Sequence, residues 1–173
     1  MKRNLILVGM PGSGKTTIGG LLAERLGLLF VDTDSEIVKQ EKVEISEIFK
    51  IKGEDYFREI ETRVIRELLG IENIILSTGG GSFQKKMNRT LLAELGCVIY
   101  LKTSPKTIYD RIKDDTSRPL LLCANPFEKI EELYQQRHEN FELADIIIDT
   151  ADKQPLEILE EILRTIDGKT IRD

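Results

Sequence analysis

Short runs of apolar residues alternate with longer amphipathic stretches along the whole chain. The apolar runs, rich in Ile, Leu and Val, predict five strands, at residues 4–9, 28–31, 73–77, 97–101 and 145–148. The amphipathic stretches have apolar positions at helical spacing and predict seven helices, at residues 15–26, 34–41, 53–69, 86–95, 105–113, 127–142 and 156–166. Strands that are apolar on both faces lie in parallel sheets covered by helices. The pattern therefore predicts an α/β protein, a three-layer sandwich with a doubly wound, five-stranded parallel sheet.

One segment between two helical patterns has neither helical nor strand periodicity. It covers residues 116–126 and contains Ser117-Arg118-Pro119-Leu120-Leu121-Leu122. Such a segment is typical either of a mobile lid over a site or of an ordinary connection between helices, and periodicity alone does not separate the two. No repeat, low-complexity tract or Pro/Ser-rich linker divides the rest of the sequence. We therefore expect one domain over residues 1–173, with the lid at about residues 116–126 inserted in it.

Composition narrows the class of protein and of partner. Charged residues make up 32% of the chain, and no apolar stretch approaches the roughly 20 residues of a membrane-spanning helix, so we expect a soluble protein without a membrane partner. The net charge of −5 would repel a polyanion, which weighs against nucleic acid as the main partner. Cys97 and Cys123 lack a metal-binding or redox spacing, and the apolar run after Met1 is too short for a signal peptide. We therefore expect a cytoplasmic location.

A phosphate-binding motif directly follows the first predicted strand and directly precedes the first predicted helix. Gly9-Met10-Pro11-Gly12-Ser13-Gly14-Lys15-Thr16 matches G-x-x-x-x-G-K-[ST] in full. Glycines let backbone N–H groups curl around phosphate oxygens, and the helix N-terminus adds a favourable dipole. Lys15 then reaches the β- and γ-phosphates of ATP, and the Thr16 hydroxyl is placed to bind Mg²⁺. The predicted nucleotide-binding residues are Gly12, Ser13, Gly14, Lys15, Thr16 and Thr17.

Two carboxylates follow the second predicted strand. Asp32 and Asp34 stand at its carboxyl end, where ligands bind in open α/β sheets. One carboxylate can accept the hydrogen bond or the proton of a substrate hydroxyl, while the other orders the water shell of Mg²⁺ beside Thr16. The alternative is that either Asp merely caps the helix that begins nearby. The spacing predicts catalytic roles for both residues, with Asp32 on the metal side.

Three further features are weak evidence for a binding site when each is taken alone. Gly79-Gly80-Gly81 follows the third predicted strand and permits a close backbone approach to a ligand. Arg58 flanks the apolar stripe of its helix, and Glu61 lies three residues further on, within reach of the guanidinium. Arg58, Arg118 and Arg137 are each also compatible with a solvated surface position, since exposed ion pairs are plentiful and weak.

The order of these motifs resembles that of the shikimate kinases from end to end. It runs from the P-loop with Lys15 through Asp32-x-Asp34, Phe57-Arg58-x-x-Glu61, Gly79-Gly80-Gly81 and Arg118-Pro119-Leu120-Leu121 to Arg137 before Ala144-Asp145. The resemblance implies the P-loop kinase fold with a mobile lid. It also implies that shikimate is held by Asp34, Arg58, Glu61, Gly79, Gly80, Gly81 and Arg137. Arg118 would contact phosphate from the lid, and Arg111 would lie by the adenine.

The reaction implied by this resemblance is transfer of the γ-phosphoryl group of ATP, with Mg²⁺, to the 3-hydroxyl of shikimate by a cytoplasmic monomer. Lys15, Arg118 and Mg²⁺ would offset the charge on the transferring group, and Asp34 would orient the hydroxyl. Phe141 departs from the tyrosine that relatives often have, and His138 is expected at the surface. Two alternative functions stay open. The first is that of another small-metabolite kinase of this fold, such as a gluconate kinase. The second is that of a catalytically inactive P-loop module that binds nucleotide to regulate a partner.

Overall fold

The computed structural model describes residues 4–113 and 123–170. The strands are β1 Leu5–Val8, β2 Leu29–Asp32, β3 Ile74–Ser77, β4 Cys97–Lys102 and β5 Ile146–Asp149. The helices are α1 Lys15–Leu26, α2 Thr33–Glu41, α3 Ile45–Glu67, α4 Lys86–Leu95, α5 Pro105–Ile112, α6 Pro126–Phe141 and α7 Pro155–Thr170. A short 3₁₀ helix, Ser82–Gln84, precedes α4 and was not predicted. Among the helices of the described ranges, none has the length and apolar composition that a membrane span requires.

All the strands are parallel and lie in the order β2-β3-β1-β4-β5. β1 is central, with Leu5 opposite Ile75 of β3 and Cys97 of β4. Because every strand points the same way, the carboxyl ends meet at one edge of the sheet, where ligands bind in such folds. The predicted fold class is confirmed, and the motifs that follow β1, β2 and β3 lie at the same edge.

Alternate strand residues point to opposite faces of the sheet, and helices cover both faces. On one face, Ile6 and Val8 of β1 pack with buried residues of α3, α4, α5 and α6. On the other face, Leu5 and Leu7 pack with buried residues of α1 and α7. The sheet is therefore excluded from water on both sides, which explains why its central strands are apolar without alternation.

The start predicted for the third helix is wrong. α3 contains a break at Gly53, whose φ of 82° and ψ of 175° are not helical, and the prediction placed the start of the helix at this glycine. Ile45, Ile48 and Phe49 have the spacing of an apolar helical face, but the stretch before Gly53 is too short to give a strong period. Tertiary packing holds these turns, because Ile48 is buried in a cluster between α2 and α3. The cluster consists of Ile37, Ile48, Phe57, Ile60 and Val64.

The segment expected to form a lid lies largely outside the described ranges, and Arg118 lies outside them entirely. The helices on either side of it, α5 and α6, contact each other: the rings of Tyr109 and Phe127 meet edge to face with centroids 5.8 Å apart. The lid and the role of Arg118 stay predictions.

Candidate active site

The loop from β1 to α1 carries the phosphate-binding motif at the carboxyl edge of the sheet. Gly14 is the N-cap of α1 and has a left-handed φ of 96°, which a residue with a Cβ adopts only under strain. As a glycine it offers no side-chain cap to the helix. No side chain of the N-cap therefore covers the start of α1, and a helix N-terminus of this kind favours an anion through its N–H groups and its dipole.

Lys15 is the first residue of α1, and its side chain lies over the loop. Its Nζ donates to the carbonyl oxygens of Gly9 and Met10, both at 2.9 Å. The residue is 8% exposed, so its ammonium group is held close to the loop backbone rather than extended into water. A compact cation beside a set of backbone N–H donors is the arrangement that binds the phosphates of ATP.

A cleft of about 360 Å³ opens beside this loop, and we call it the P-loop cleft. It is lined by residues of the loop, of the carboxyl ends of β2 and β3, and of α5. Of the predicted nucleotide and metal residues, those at its surface are Gly12, Gly14, Lys15, Thr16, Thr17, Asp32 and Arg111. Ser13 is only 1% exposed and is not part of the lining.

Asp32 does cap α2, as the alternative interpretation supposed, and also lines the P-loop cleft. Its Oδ1 accepts hydrogen bonds from the backbone N–H of Asp34 at 3.0 Å and of Ser35 at 3.2 Å. The described residues hold no group of three or more His, Cys, Asp or Glu side chains that could bind a metal. Mg²⁺ at nucleotide sites usually keeps several waters and takes the substrate phosphates and only one or two carboxylates as ligands. The small set of Thr16 and Asp32 fits that chemistry.

Asp34 stands in the first turn of α2 with one oxygen buried. Its Oδ1 has no hydrogen-bond donor among the described residues. The pKa of Asp34 is raised from 3.8 to about 6, first by burial and then by the charges of Asp32 and Glu61, while the charges of Lys15 and Arg58 oppose the rise. A buried acceptor without a donor is costly in a protein interior and is a natural partner for a ligand hydroxyl. A carboxylate with this pKa can also accept a proton near neutral pH.

A second cleft, of about 280 Å³, adjoins the first, and we call it the arginine cleft. The two clefts share Pro11, Asp34, Gly79 and Gly80. The remaining lining of the arginine cleft combines charged and apolar side chains: Ile45, Phe49, Phe57, Arg58, Glu61, Gly81, Leu133 and Arg137. The structure thus brings the acceptor residues predicted from the sequence together in one cleft, with Asp34 on the boundary to the P-loop.

Arg58 is held between two carboxylates of its own helix. Its Nη1 donates to Glu61 Oε2 at 3.1 Å, the pairing that the spacing predicted, and its Nη2 donates to Glu54 Oε1 at 3.0 Å. The Glu61 side chain is fully buried, whereas that of Glu54 is 65% exposed. One edge of the guanidinium is therefore fixed by a buried charge, and the other edge is paired with an exposed carboxylate that a ligand can replace.

Arg137 reaches the arginine cleft from α6. Its Nη1 donates to the carbonyl oxygen of Gly80 at 3.2 Å. Burial lowers the pKa of Arg137, and the nearby charge of Arg58 lowers it further. Two guanidinium groups in one small cleft form a site for a carboxylate, to which each can make directed, charge-assisted hydrogen bonds.

The glycines after β3 leave room for side chains of the site itself. A Cβ at Gly79 would lie 2.9 Å from Glu61 Oε1 and 3.0 Å from Asp34 Oδ1. A Cβ at Gly81 would lie 2.7 Å from Nη1 of Arg58. The sequence predicted that a ligand approaches this backbone closely. In the structure, side chains of the protein approach it closely as well.

Arg111 lines the P-loop cleft from α5. Its Nη2 donates to the carbonyl oxygen of Thr150 at 2.9 Å, and its Nη1 donates to that of Ser13 at 3.4 Å. It thereby connects the P-loop with the residue that follows β5. Its expected position by the adenine stays a prediction.

Several residues in or beside the arginine cleft carry no motif and were missed from the sequence. Ile45 and Phe49 lie on the turns of α3 that were not predicted, and they supply the apolar wall of the arginine cleft. Glu54 stands four residues before Arg58, which is a spacing for ion pairs on a helix and was the available signal. Ser82 follows the glycine run directly, yet nothing in the residue type pointed to its hydrogen bond with Glu61.

Two expectations about residues outside the clefts have clear outcomes. Phe141 is fully buried and stacks on Tyr100 with ring centroids 5.0 Å apart, so the departure from tyrosine concerns the core and neither cleft. His138 is half-buried rather than fully at the surface, because its ring stacks on Tyr134 with centroids 5.2 Å apart.

Comparisons with known proteins identify the family. The family model for shikimate kinase matches residues 11–167. A shikimate kinase of Persephonella marina is 46% identical over 164 residues, covering 95% of this chain and 99% of the relative. Among solved structures, the shikimate kinase from Acinetobacter baumannii in complex with shikimate has a TM-score of 0.92 at 37% identity, covering 98% of this chain and 95% of that one.

A structure from the rival class shares the fold alone. The gluconokinase from Sinorhizobium meliloti has a TM-score of 0.64 at 18% sequence identity, over 100% of this chain and 99% of that chain. The sheet and its helices therefore do not by themselves discriminate between acceptors.

Proposed function

The chain belongs to the shikimate kinase family, and from that premise we propose how its two adjoining clefts divide the reaction between them. The protein is an ATP-dependent kinase that transfers the γ-phosphoryl group of ATP to the 3-hydroxyl of shikimate, in the biosynthesis of aromatic amino acids. One observation supports the division most strongly. Asp34 stands where the clefts meet, with the phosphate-binding loop on one side and two arginines on the other.

ATP would occupy the P-loop cleft. The backbone N–H groups at the start of α1 and the ammonium of Lys15 would hold its β- and γ-phosphates. Arg111, which already links the P-loop to Thr150, would lie by the adenine. Mg²⁺ would be held by the Thr16 hydroxyl and, through its water shell, by Asp32, and when bound it neutralises charge on the phosphates.

Shikimate would occupy the arginine cleft, with its carboxylate facing Arg58 and Arg137. Both guanidiniums line this cleft, and their charge is offset in part by the buried Glu61. The hydroxyls of shikimate would contact Asp34 and the backbone of Gly79, Gly80 and Gly81. Ile45, Phe49 and Phe57 would contact the apolar parts of the ring.

Asp34 would act on the hydroxyl that attacks the γ-phosphorus. The buried Oδ1 of Asp34 would accept the hydrogen bond of the 3-hydroxyl and then take the hydroxyl proton. At the same time the hydroxyl oxygen bonds to the γ-phosphorus, and the bond from the γ-phosphorus to the β-phosphate oxygen breaks. Lys15 and Arg118 would offset negative charge on the transferring group. The products are shikimate 3-phosphate and ADP, and catalysis is mainly positioning and charge neutralisation.

The location and the partners of the protein are proposed from the sequence rather than from the clefts. We propose a cytoplasmic monomer that acts on a small molecule and has neither nucleic acid nor a membrane as a partner. The negative net charge of −5 supports the exclusion of nucleic acid, since binding to a polyanion would be opposed over most of the surface.

Removing the guanidinium of Arg58 should weaken shikimate binding selectively. A charge-assisted hydrogen bond contributes about 1.5 to 3 kcal/mol, so we expect Arg58→Ala to raise the Kd for shikimate by about tenfold to a hundredfold. The Kd for ATP should change by less than about twofold, because Arg58 lies in the arginine cleft and not in the P-loop cleft. Calorimetric titration with each ligand separately measures both constants. An equal loss for both ligands, or no loss for shikimate, would mean that Arg58 is structural or merely solvated.

Glu54 should compete weakly with the ligand for Arg58. It pairs with the guanidinium edge that points away from the buried Glu61, and it is largely exposed. Exposed helical pairs are weak, so we expect Glu54→Gln to tighten shikimate binding by no more than about twofold at low salt. Asp55→Asn is the matched control, because it removes the same charge from the neighbouring exposed position. Weaker binding in Glu54→Gln would show instead that Glu54 helps to orient Arg58 for the ligand.

A further inference from the structure

We propose that Ser82 is a positioning residue for shikimate: its hydroxyl holds the buried Glu61 in place, and Glu61 in turn holds Arg58 for the carboxylate of the acceptor. This inference rests on the proposed place of that carboxylate beside Arg58. Ser82 itself lines neither cleft, so any effect on the ligand must pass through other side chains.

The two oxygens of Glu61 have different partners. Oε1 accepts a hydrogen bond from the Ser82 hydroxyl, and Oε2 accepts the hydrogen bond from Arg58 Nη1 at 3.1 Å. Oε1 also lies where a Cβ on Gly79 would stand only 2.9 Å away. The carboxylate is therefore fixed from one side by Ser82 and the glycine backbone, and it presents its other oxygen to Arg58.

Glu61 needs this donor because it is fully buried. Burial raises the pKa of Glu61, while the hydrogen bond from Ser82 and the charge of Arg58 lower it. Without the Ser82 hydroxyl, Oε1 of the carboxylate would lose this hydrogen bond, and the orientation of the carboxylate about its terminal bond would be less fixed. The contact between Glu61 and Arg58 would then be less well defined, and the exposed Glu54 would remain as the other partner of the guanidinium.

Ser82 is itself rigidly placed. It is completely buried, and its N–H donates to the carbonyl oxygen of Gly79 at 3.0 Å. Its own carbonyl oxygen accepts from Nδ2 of Asn88, a buried residue of α4, at 3.0 Å. Both the amide and the carbonyl of the residue are therefore anchored, so the position of the hydroxyl is set by the backbone of the 3₁₀ helix.

The same 3₁₀ helix also contacts the second arginine. The Gln84 side chain accepts a hydrogen bond from Asn140 at 2.8 Å and donates to the carbonyl oxygen of Arg137 at 3.4 Å. Ser82–Gln84 therefore connects to Arg58 through Glu61 and to the α6 segment that carries Arg137.

The decisive experiment compares shikimate with its uncharged methyl ester in Ser82→Ala and in the unmodified protein. Loss of a hydrogen bond to a charged group is large enough that we expect the Kd for shikimate to rise by about fivefold to tenfold. The Kd for the methyl ester and for ATP should change by less than about twofold, because neither ligand offers a carboxylate to Arg58. A hydroxyl with a purely structural role would weaken the acid and the ester equally, and that result overturns the proposal, as does no change for shikimate.

Three further variants keep the test conclusive. Thr62→Val removes a buried hydroxyl next to Glu61, one that donates to the Arg58 carbonyl oxygen, and it should leave the preference for acid over ester unchanged. In a Glu61→Gln background, Ser82→Ala should add little to the loss, since both changes act through one contact; a full additive loss contradicts the proposal. Should Ser82→Ala fail to fold, Ser82→Cys retains the size but only a weak donor, and it should show the same loss of preference.

The proposed site and this inference fail in different ways. If Arg58→Ala retains the preference for shikimate over its ester, the carboxylate does not lie at Arg58 and the proposed site is wrong. If Arg58→Ala loses that preference while Ser82→Ala keeps it in full, the site stands and the role of Ser82 is wrong.

Discussion

Replacing Asp34 with asparagine is expected to lower kcat by at least about a hundredfold, since general base catalysis by a positioned side chain contributes about 10²- to 10⁴-fold. Asparagine keeps an oxygen that can accept the hydrogen bond of the acceptor hydroxyl, but it cannot take the proton. Binding of shikimate should therefore change far less than turnover. A variant that binds shikimate and turns over at nearly the unmodified rate would assign the proton to water and reduce Asp34 to an orienting group.

The pH dependence provides an independent test of the same residue. The pKa of Asp34 in the free protein is raised to about 6, first by burial and then by Asp32 and Glu61, against the opposing charges of Lys15 and Arg58. The base must be deprotonated, so kcat/KM for shikimate should fall as the pH decreases through about 6. This acid limb should be missing from the residual activity of Asp34→Asn.

Asp34→Asn should raise the stability of the protein at pH 8 although it lowers kcat. The folded pKa of about 6 lies above the ordinary value of 3.8, so between these values the native state binds more protons than the unfolded chain and loses stability as the pH rises. Asp34→Asn removes this cost. Its Tm should exceed that of the unmodified protein at pH 8, and the difference should shrink towards pH 4. A lower Tm for the variant at pH 8 would contradict the assigned burial of the charge.

Replacing Lys15 with methionine should have a comparable effect on the nucleotide side. The side chain keeps its length and its burial but loses the ammonium that stands over the P-loop. We expect kcat/KM for ATP to fall by at least about a hundredfold, the loss that follows removal of one preorganised transition-state contact. The Kd for shikimate, measured without nucleotide, should remain within about twofold because Lys15 does not line the arginine cleft.

Two outcomes would contradict the role of Lys15. A kcat/KM within about tenfold of the unmodified value would mean that the backbone N–H groups alone neutralise the phosphates. An equal loss of shikimate affinity would mean that methionine disturbs the whole carboxyl edge of the sheet. Measuring Tm alongside the kinetics separates a folding defect from a loss of charge.

The sequence predicted the layout of the site because parallel strands order the motifs in space. The glycine-rich loop, the Asp32-Thr33-Asp34 segment and Gly79-Gly80-Gly81 each follow a strand, so a parallel sheet brings them to one edge whatever the exact strand order. Arg58 and Glu61 were also predictable as a pair, since residues three apart on a helix are neighbours.

Other parts of the site could not be predicted because they depend on tertiary contacts. The turns of α3 before Gly53 have little periodicity of their own and are held by packing against α2. The hydrogen bond from Ser82 joins residues 21 apart in sequence, and no local rule links a serine after a glycine run to a glutamate on another helix. The shared position of Asp34 in both clefts likewise follows from the three-dimensional arrangement.

The most direct test of the central claim is a coupled assay of ADP release with Mg²⁺ and ATP over a panel of shikimate, gluconate and a nucleoside monophosphate. The two arginines and Asp34 should make shikimate the one acceptor in this panel that raises ADP release well above the ATP-only background. A gluconokinase shares the fold at 18% identity, so gluconate is the strictest competitor. Stimulation by gluconate equal to that by shikimate, or no stimulation by shikimate at all, would contradict the assignment of the arginine cleft.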